Sequence, residues 1–268
     1  MKIYDYHTHS NFSEDCNIDM EDMIKGAITK NITELCFTEH HDIDYPEENF
    51  NFLLNDEKYF IKFNELKEKY NNKISLKLGL EIGLQSHIID ECKMFTHNKD
   101  YDFIIASQHC VENVDLYTKK FFKGKTVDEI YTKYFEEMYY NITHYNNFNV
   151  IGHMDLLRRY SKEVADYDIT HSEEIIKMIL NHLIKNNKGI EVNAGGLFYP
   201  LKSINPSIEI LKIYKELGGE IITYGSDAHF PDRLGAHYFE VMRILNELEF
   251  KYITKFNKQK PEFIKIEI

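Results

Sequence analysis

Tyr4-Asp5-Tyr6-His7-Thr8-His9 opens as an apolar strand and closes on two histidines, and the chain repeats that design along its length. Leu35-Cys36-Phe37-Thr38 runs into Glu39-His40-His41, Leu76 to Leu80 into Glu81, and Phe103 to Ser107 into Gln108-His109. Val150-Ile151-Gly152 runs into His153, and Ile221 to Gly225 into Ser226-Asp227-Ala228-His229. A seventh run, Gly189 to Val192, ends instead at Asn193-Ala194-Gly195-Gly196. In barrels built from strand-then-helix units, catalytic groups come from the C-terminal ends of several strands, so residues distant in sequence meet at one rim. Six of the seven runs end on, or within a few residues of, a His, Asp or Glu, which fits that geometry.

Amphipathic stretches of helical length separate the runs: Ile18 to Asn31, Glu57 to Tyr70, Ser86 to His97, Thr126 to Tyr145, Ser172 to Lys188 and Ser207 to Leu217. Thr126 to Glu129 and Ser207 read as N-terminal caps. This alternation predicts an α/β fold with a parallel sheet, and seven units predict a closed or nearly closed barrel over an open, doubly wound sheet. Such barrels run to about 250 residues as one domain. With no linker, repeat or low-complexity tract in its 268 residues, the chain reads as a single unit over 1–268. Phe239 to Leu248 looks helical, and Tyr252 to Phe256 and Phe263 to Ile268 can pair as a hairpin or cover the end of the barrel.

A net charge of −12 disfavours nonspecific binding to nucleic acid or to an anionic membrane, both of which reward clustered Lys and Arg. The first residues lack a secretory apolar core, and no apolar stretch is long enough to span a bilayer, so a cytoplasmic protein is expected. Cys16, Cys36, Cys92 and Cys110 are too scattered for a zinc knuckle and suit reduced thiols. No phosphate cradle of the Walker or Rossmann type is present, and Gly195-Gly196 reads as a turn.

Imidazole and carboxylate are the ligands of catalytic zinc, iron and manganese, and the absence of nearby Cys favours a hydrolytic site over a closed structural one. A single histidine carries little weight, but a ligand type at strand end after strand end does. These motifs, in order and spacing, resemble the polymerase and histidinol phosphatase superfamily: His7-Thr8-His9-Ser10, Thr38-Glu39-His40, Glu81, His109, Gly152-His153 and Gly225-Ser226-Asp227-Ala228-His229. The resemblance implies a distorted seven-stranded (β/α)7 barrel of TIM type and about three divalent ions (Zn, Mn or Fe). By motif position, one ion would take His7, His9, Glu81 and Asp227. The second would share Glu81 and add His109 and His153, and the third would take Asp15, His40 and His229. By its own chemistry Asp15 reads either as a ligand or as part of a solvated Ser13-Glu14-Asp15 loop. His41 departs from the family pattern and stands as a substitute for His40, a helper to it, or an outer proton donor. Of the other histidines, only His237 is placed near enough to a strand to reach the rim.

A cluster of divalent ions lowers the pKa of a bound water, holds the resulting hydroxide in line with phosphorus and neutralises the leaving alkoxide, which suits hydrolysis of a phosphate ester. Glu81, Asp227 and His229 are the expected catalytic residues. Phosphate also calls for Arg, whose planar fork meets two oxygens at once. Three of the four arginines, Arg158, Arg159 and Arg233, follow His153 and His229. All three are expected as substrate-binding residues where a phosphate at the metals would lie, with Arg158 the first choice for the clamp and Arg159 the one of the pair that can face solvent instead.

Within the superfamily, Gly152-His153-Met154-Asp155-Leu156-Leu157-Arg158-Arg159-Tyr160 and Glu191-Val192-Asn193 resemble the stand-alone histidinol-phosphatases. That resemblance implies hydrolysis of L-histidinol phosphate to L-histidinol and phosphate. Acidic and aromatic loop residues are then expected around the amine and imidazole, and Glu112, Phe198 and Tyr199 read either as these or as ordinary loop residues. The alternatives are a phosphatase, phosphodiesterase or nuclease on the same barrel acting on phosphotyrosine or a nucleotide, an amidohydrolase, and a metal-binding module without turnover. His109 and the Asp227-x-His229 pair oppose the amidohydrolase, and the acidic charge opposes the nuclease.

Overall fold

The structure is a computed structural model that describes residues 2–199 and 202–267. Seven strands lie side by side in chain order: β1 (Ile3–Thr8), β2 (Ile32–Asp42), β3 (Ser75–Gly83), β4 (Phe103–Ser107), β5 (Val150–Ile151), β6 (Gly189–Asn193) and β7 (Ile222–Gly225). Every neighbouring pair is parallel. The ring closes just past the ends of β7 and β1. There Thr8 bridges Ala228, the Asp227 N–H donates to His7 O at 2.8 Å, and the His9 N–H donates to Ala228 O at 3.0 Å.

The helices fall where apolar periodicity placed them: α1 (Met20–Thr29), α2 (Asp56–Tyr70), α3 (Ile89–Thr96), α4 (Val127–His144), α5 (Glu173–Lys185), α6 (Ile208–Glu216) and α7 (Tyr238–Glu247). Each lays its apolar stripe on the barrel, as α1 does with Met20, Met23, Ile24 and Ala27, all fully buried. Thr126 and Glu129 form the expected reciprocal capping box at the start of α4. Ser207 occupies the cap position of α6 without a side-chain capping bond; its backbone N–H donates to Asp155 Oδ2 at 2.9 Å instead. Ser86 to Ile88 forms a 3-10 turn ahead of α3 rather than its first helical turn.

The tail forms an antiparallel hairpin, β8 (Tyr252–Asn257) and β9 (Lys260–Lys265), against the N-terminal end of the barrel; Ile268 lies outside the described residues. The Tyr6 hydroxyl donates to Glu34 and accepts from the Phe256 N–H at 2.9 Å, and the Phe256 ring sits 5.0 Å from that of Phe103. With its N-terminal end plugged, the barrel presents its C-terminal end to solvent. No described helix is long and apolar enough to cross a membrane.

Candidate metal centre and active-site cavity

Side chains alternate across a strand, so residues two apart share a face. His7 and His9 therefore both turn into the barrel mouth, while Thr8 between them turns away and donates to Cys36 O. The same rule separates His40 from His41. His40 faces the rim, whereas His41 stacks on Phe95 at 3.4 Å and its Nδ1 accepts from the Leu54 N–H. Burial pushes His41 down to about 4. It is a packing residue, so its expected part at the rim is withdrawn. His237 pairs with Glu240 and does not line the cavity, so it too drops out.

Glu81 stands at the centre. Its Oε2 lies 3.0 Å from His7 Nε2 and 3.5 Å from His9 Nε2, and both nitrogens are 3.6 Å from Asp227 Oδ1. Its Oε1 lies 3.0 Å from His153 Nε2 and 3.3 Å from His109 Nε2. Further out, Asp15 Oδ2 lies 3.1 Å from His229 Nε2 and 3.7 Å from His40 Nε2. All nine side chains expected as ligands meet in these three groups. Asp15 accordingly joins the rim instead of serving as a purely solvated loop residue.

The electrostatics are those of a crowded charge cluster. Burial opposes protonation of His7, His40 and His109, but the surrounding carboxylates outweigh it. Glu191, Glu81 and Asp227 hold His7 well above its ordinary value, and Glu81 and Asp15 lift His40 to about 9. Asp42 and Glu81 raise His109 likewise. His9 goes the other way, down to about 3, through burial and the neighbouring imidazoles of His229 and His40. Burial opposes ionisation of Glu81, yet His7, His40 and His109 hold it well below the usual carboxylate range.

Such a cluster fits divalent ions. His9 Nε2 and His153 Nδ1 are fully buried with no hydrogen-bond partner among the described residues, and a buried polar atom without one is costly. Among the described residues, five overlapping trios of His, Asp and Glu side chains each bring their ligand atoms within 4.8 Å of one another. Imidazole nitrogens interleaved with carboxylate oxygens, without a thiolate, are a donor set for zinc, iron or manganese.

Asp227 has φ +57, a left-handed conformation that Asp adopts more readily than most residues. It turns Oδ1 to the histidines and Oδ2 to Arg159, whose Nη1 donates at 3.0 Å. Arg159 also donates to Asn193 Oδ1 at 2.6 Å and Asn205 Oδ1 at 2.8 Å. The arginine read as free to face solvent is therefore the buried one lining the metal-side cavity. Arg158, the expected clamp, points away and donates to buried Asp155 and to Ala165 O. The two are consecutive on a 3-10 turn, Leu156–Arg159, which sends neighbours in different directions. Arg233 lays its guanidinium over Phe198, 3.5 Å from the ring centre, and does not line the cavity.

The cavity above the rim measures about 510 Å³ and is walled by Tyr45, Glu47, Phe52, Asp115, Tyr117 and Tyr199 beside the metal-facing side chains. Of Glu112, Phe198 and Tyr199, Tyr199 alone lines it, and of the three arginines Arg159 does. Glu112 is on the surface, paired with Lys133, and Phe198 lies beneath Arg233.

A family model of the PHP domain matches residues 5–195. The chain belongs to the PHP-domain family. It is 31% identical over 263 residues to a histidinol-phosphatase of Lactococcus lactis subsp. lactis, covering 97% of this chain and 96% of the relative. A probable histidinol-phosphatase of Clostridium acetobutylicum is 28% identical over 252 residues, covering 93% and 95%. The crystal structure of histidinol phosphate phosphatase from Lactococcus lactis, complexed with Zn, L-histidinol and phosphate, matches with a TM-score of 0.89 at 29% identity, covering 97% of this chain and 99% of that one.

Around this PHP-type centre stand buried carboxylates that strand-end reasoning passed over. Glu191 accepts from His7 Nδ1 at 2.6 Å and from the His153 N–H at 2.8 Å. Glu39 accepts from the hydroxyls of Ser10 and Ser13, and Ser13 in turn contacts His9 Nδ1 at 3.0 Å. Asp42 accepts from His109 Nδ1 at 2.6 Å. The signal for Glu191 and Asp42 was the one used for the ligands, an acidic residue at an apolar strand's end.

Proposed function

We infer that the protein is a metal-dependent histidinol-phosphatase, converting L-histidinol phosphate and water to L-histidinol and phosphate. The observation that carries this reading is end-to-end similarity, in sequence and fold, to a relative whose crystal complex contains Zn, L-histidinol and phosphate. The wall chemistry agrees with it: Asp115 and Glu47 supply negative charge for a cationic amine, and Tyr45, Phe52 and Tyr117 supply faces for an imidazole.

Three divalent ions are assigned to the rim. His7, His9, Glu81 and Asp227 would hold the first; Glu81, His109 and His153 would hold the second; Asp15, His40 and His229 would hold the third. When bound, the ions supply Lewis acidity and a water of lowered pKa. Glu81 spans two ligand sets and fixes their spacing. Arg159 holds Asp227 in its left-handed conformation and presents positive charge to the cavity, the part first given to Arg158. Glu191 keeps the His7 ring oriented with Nε2 toward Glu81 and Asp227. Asp227 and His229 line the cavity beside these ligand sets.

Residues 1–268 work as one catalytic unit, a reading supported by the hairpin's hydrogen bonds to the barrel base. A cytoplasmic setting is supported by four buried, unpaired cysteines.

The test is phosphate release by purified, metal-loaded protein from a panel of esters containing histidinol phosphate, phosphotyrosine and nucleotides. Histidinol phosphate is expected to give the highest kcat/KM. A higher value for any other ester would reassign the substrate.

A further inference from the structure

Asp42 closes strand β2 between the second and third ligand sets and belongs to neither. Its carboxylate is buried, 5% exposed. Oδ1 accepts from His109 Nδ1 at 2.6 Å. Oδ2 lies 3.5 Å from His40 Nδ1, and both of these atoms are buried without a hydrogen-bond partner. On the far side of the same rings, His109 Nε2 faces Glu81 and His40 Nε2 faces Asp15. Glu81 Oε2 is also 3.2 Å from His40 Nδ1, but ions in the first two sets would occupy the Glu81 oxygens, leaving Asp42 as the acceptor for that ring.

Space for this carboxylate is built into the sheet. Asp42 pairs in register with Gly83 on β3, and a Cβ on Gly83 would stand 2.0 Å from Asp42 Oδ1. The Asp42 N–H donates to Phe52 O at 3.1 Å, and the Phe52 ring lies 5.3 Å from that of His40. The end of the strand is thereby fixed to the loop that walls the cavity.

We propose that Asp42 is a positioning residue that holds His40 and His109 from one side, keeps both as Nδ1–H tautomers with Nε2 free, and so couples the second and third metal sites. The proposal rests on the reading of Asp15, His40, His109, His153 and His229 as ligands. An imidazole presents Nε2 to a metal when Nδ1 carries the proton, and an acceptor on Nδ1 fixes that tautomer and the ring's orientation. Two Nδ1–H donors converging on one group require two acceptor atoms, which a carboxylate has. A carboxamide offers one acceptor and sets an NH2 against the other ring.

Asp42→Asn is nearly isosteric and leaves the Gly83 gap filled as before. Metal-free parent and variant are titrated with Mn2+, and the ions are counted and their affinities resolved by calorimetry and elemental analysis. The parent is expected to take about three ions. The variant is expected to keep one ion at parental affinity, in the His7, His9, Glu81 and Asp227 set, and to bind the other two about 10- to 100-fold more weakly. Parental affinity at every site, or equal weakening at all of them, overturns the proposal. A parent that binds one ion or none overturns the ligand reading itself, a different result from the variant's. Independently of any variant, nitrogen NMR of histidine-labelled, zinc-loaded parent should show a proton on Nδ1 of both His40 and His109. A bare or metallated Nδ1 at either residue overturns the proposal.

Discussion

Arg158 and Arg159 are adjacent and chemically identical, yet their surroundings give them separate tasks. Arg159 makes three side-chain hydrogen bonds inside the site, one of them to the Asp227 carboxylate. Arg159→Ala should lower kcat/KM by roughly ten- to two-hundredfold, since a charge-assisted bond is worth about 1.5 to 3 kcal/mol. Arg159→Lys should recover only part of the loss, because an ammonium lacks the fork. Arg158→Ala removes a partner of buried Asp155 and should cost about 1 to 3 kcal/mol of stability, read by urea denaturation, with kcat/KM close to that of the parent. The reverse pattern of kinetics would return the phosphate to Arg158. Sequence alone could not rank this pair, because adjacency on a 3-10 turn leaves open which side chain turns inward. For His40 and His41 the strand rule does decide: one of two neighbours must face out, and packing on Phe95 makes it His41.

At the scale of elements, the strands and helices were legible because apolar runs of strand length alternate with stripes of period 3.6, and the ligands mark which end of each strand is the rim. What stayed hidden was the shell behind the ligands. Glu191, Asp42 and Glu39 show their roles only when strands come into register and a carboxylate reaches the far nitrogen of a ring, directly for Glu191 and Asp42 and through the Ser13 hydroxyl for Glu39. The hairpin, too, was legible as a pair of strands but not as a plug, since its contact with Tyr6 spans 250 positions. That contact is testable. Tyr6→Phe strips a buried hydroxyl from Glu34 and from the Phe256 N–H and should cost about 1 to 3 kcal/mol. Thermal unfolding reads the loss, and metal content should stay unchanged because the hydroxyl lies at the opposite end of the barrel from the ions. A fall in metal content would mean that the plug governs the rim.

Across the whole molecule, the ions and the charge cluster are bound together by proton balance. Burial works against imidazolium, but carboxylates keep His40 protonated up to about pH 9 and raise His7 and His109 as well. A metal needs neutral imidazole, so loading at pH 7 should expel more than one proton per chain, and affinity should rise from pH 6 to 9. Calorimetry in buffers of different ionisation enthalpy counts the protons, and a count of zero would mean that the rings are neutral before metal arrives. The closure between β7 and β1 adds a mechanical aspect. The first ion's assigned ligands sit on both sides of it, His7 and His9 on one lip and Asp227 on the other, beside a single bridge from Thr8 to Ala228. A metal there works as a clasp on a seam. Stripping the ions should let the barrel gape along that line first, so that the backbone amides of His9 and Asp227 exchange with deuterium far sooner than those of β3, which has a parallel neighbour on each side.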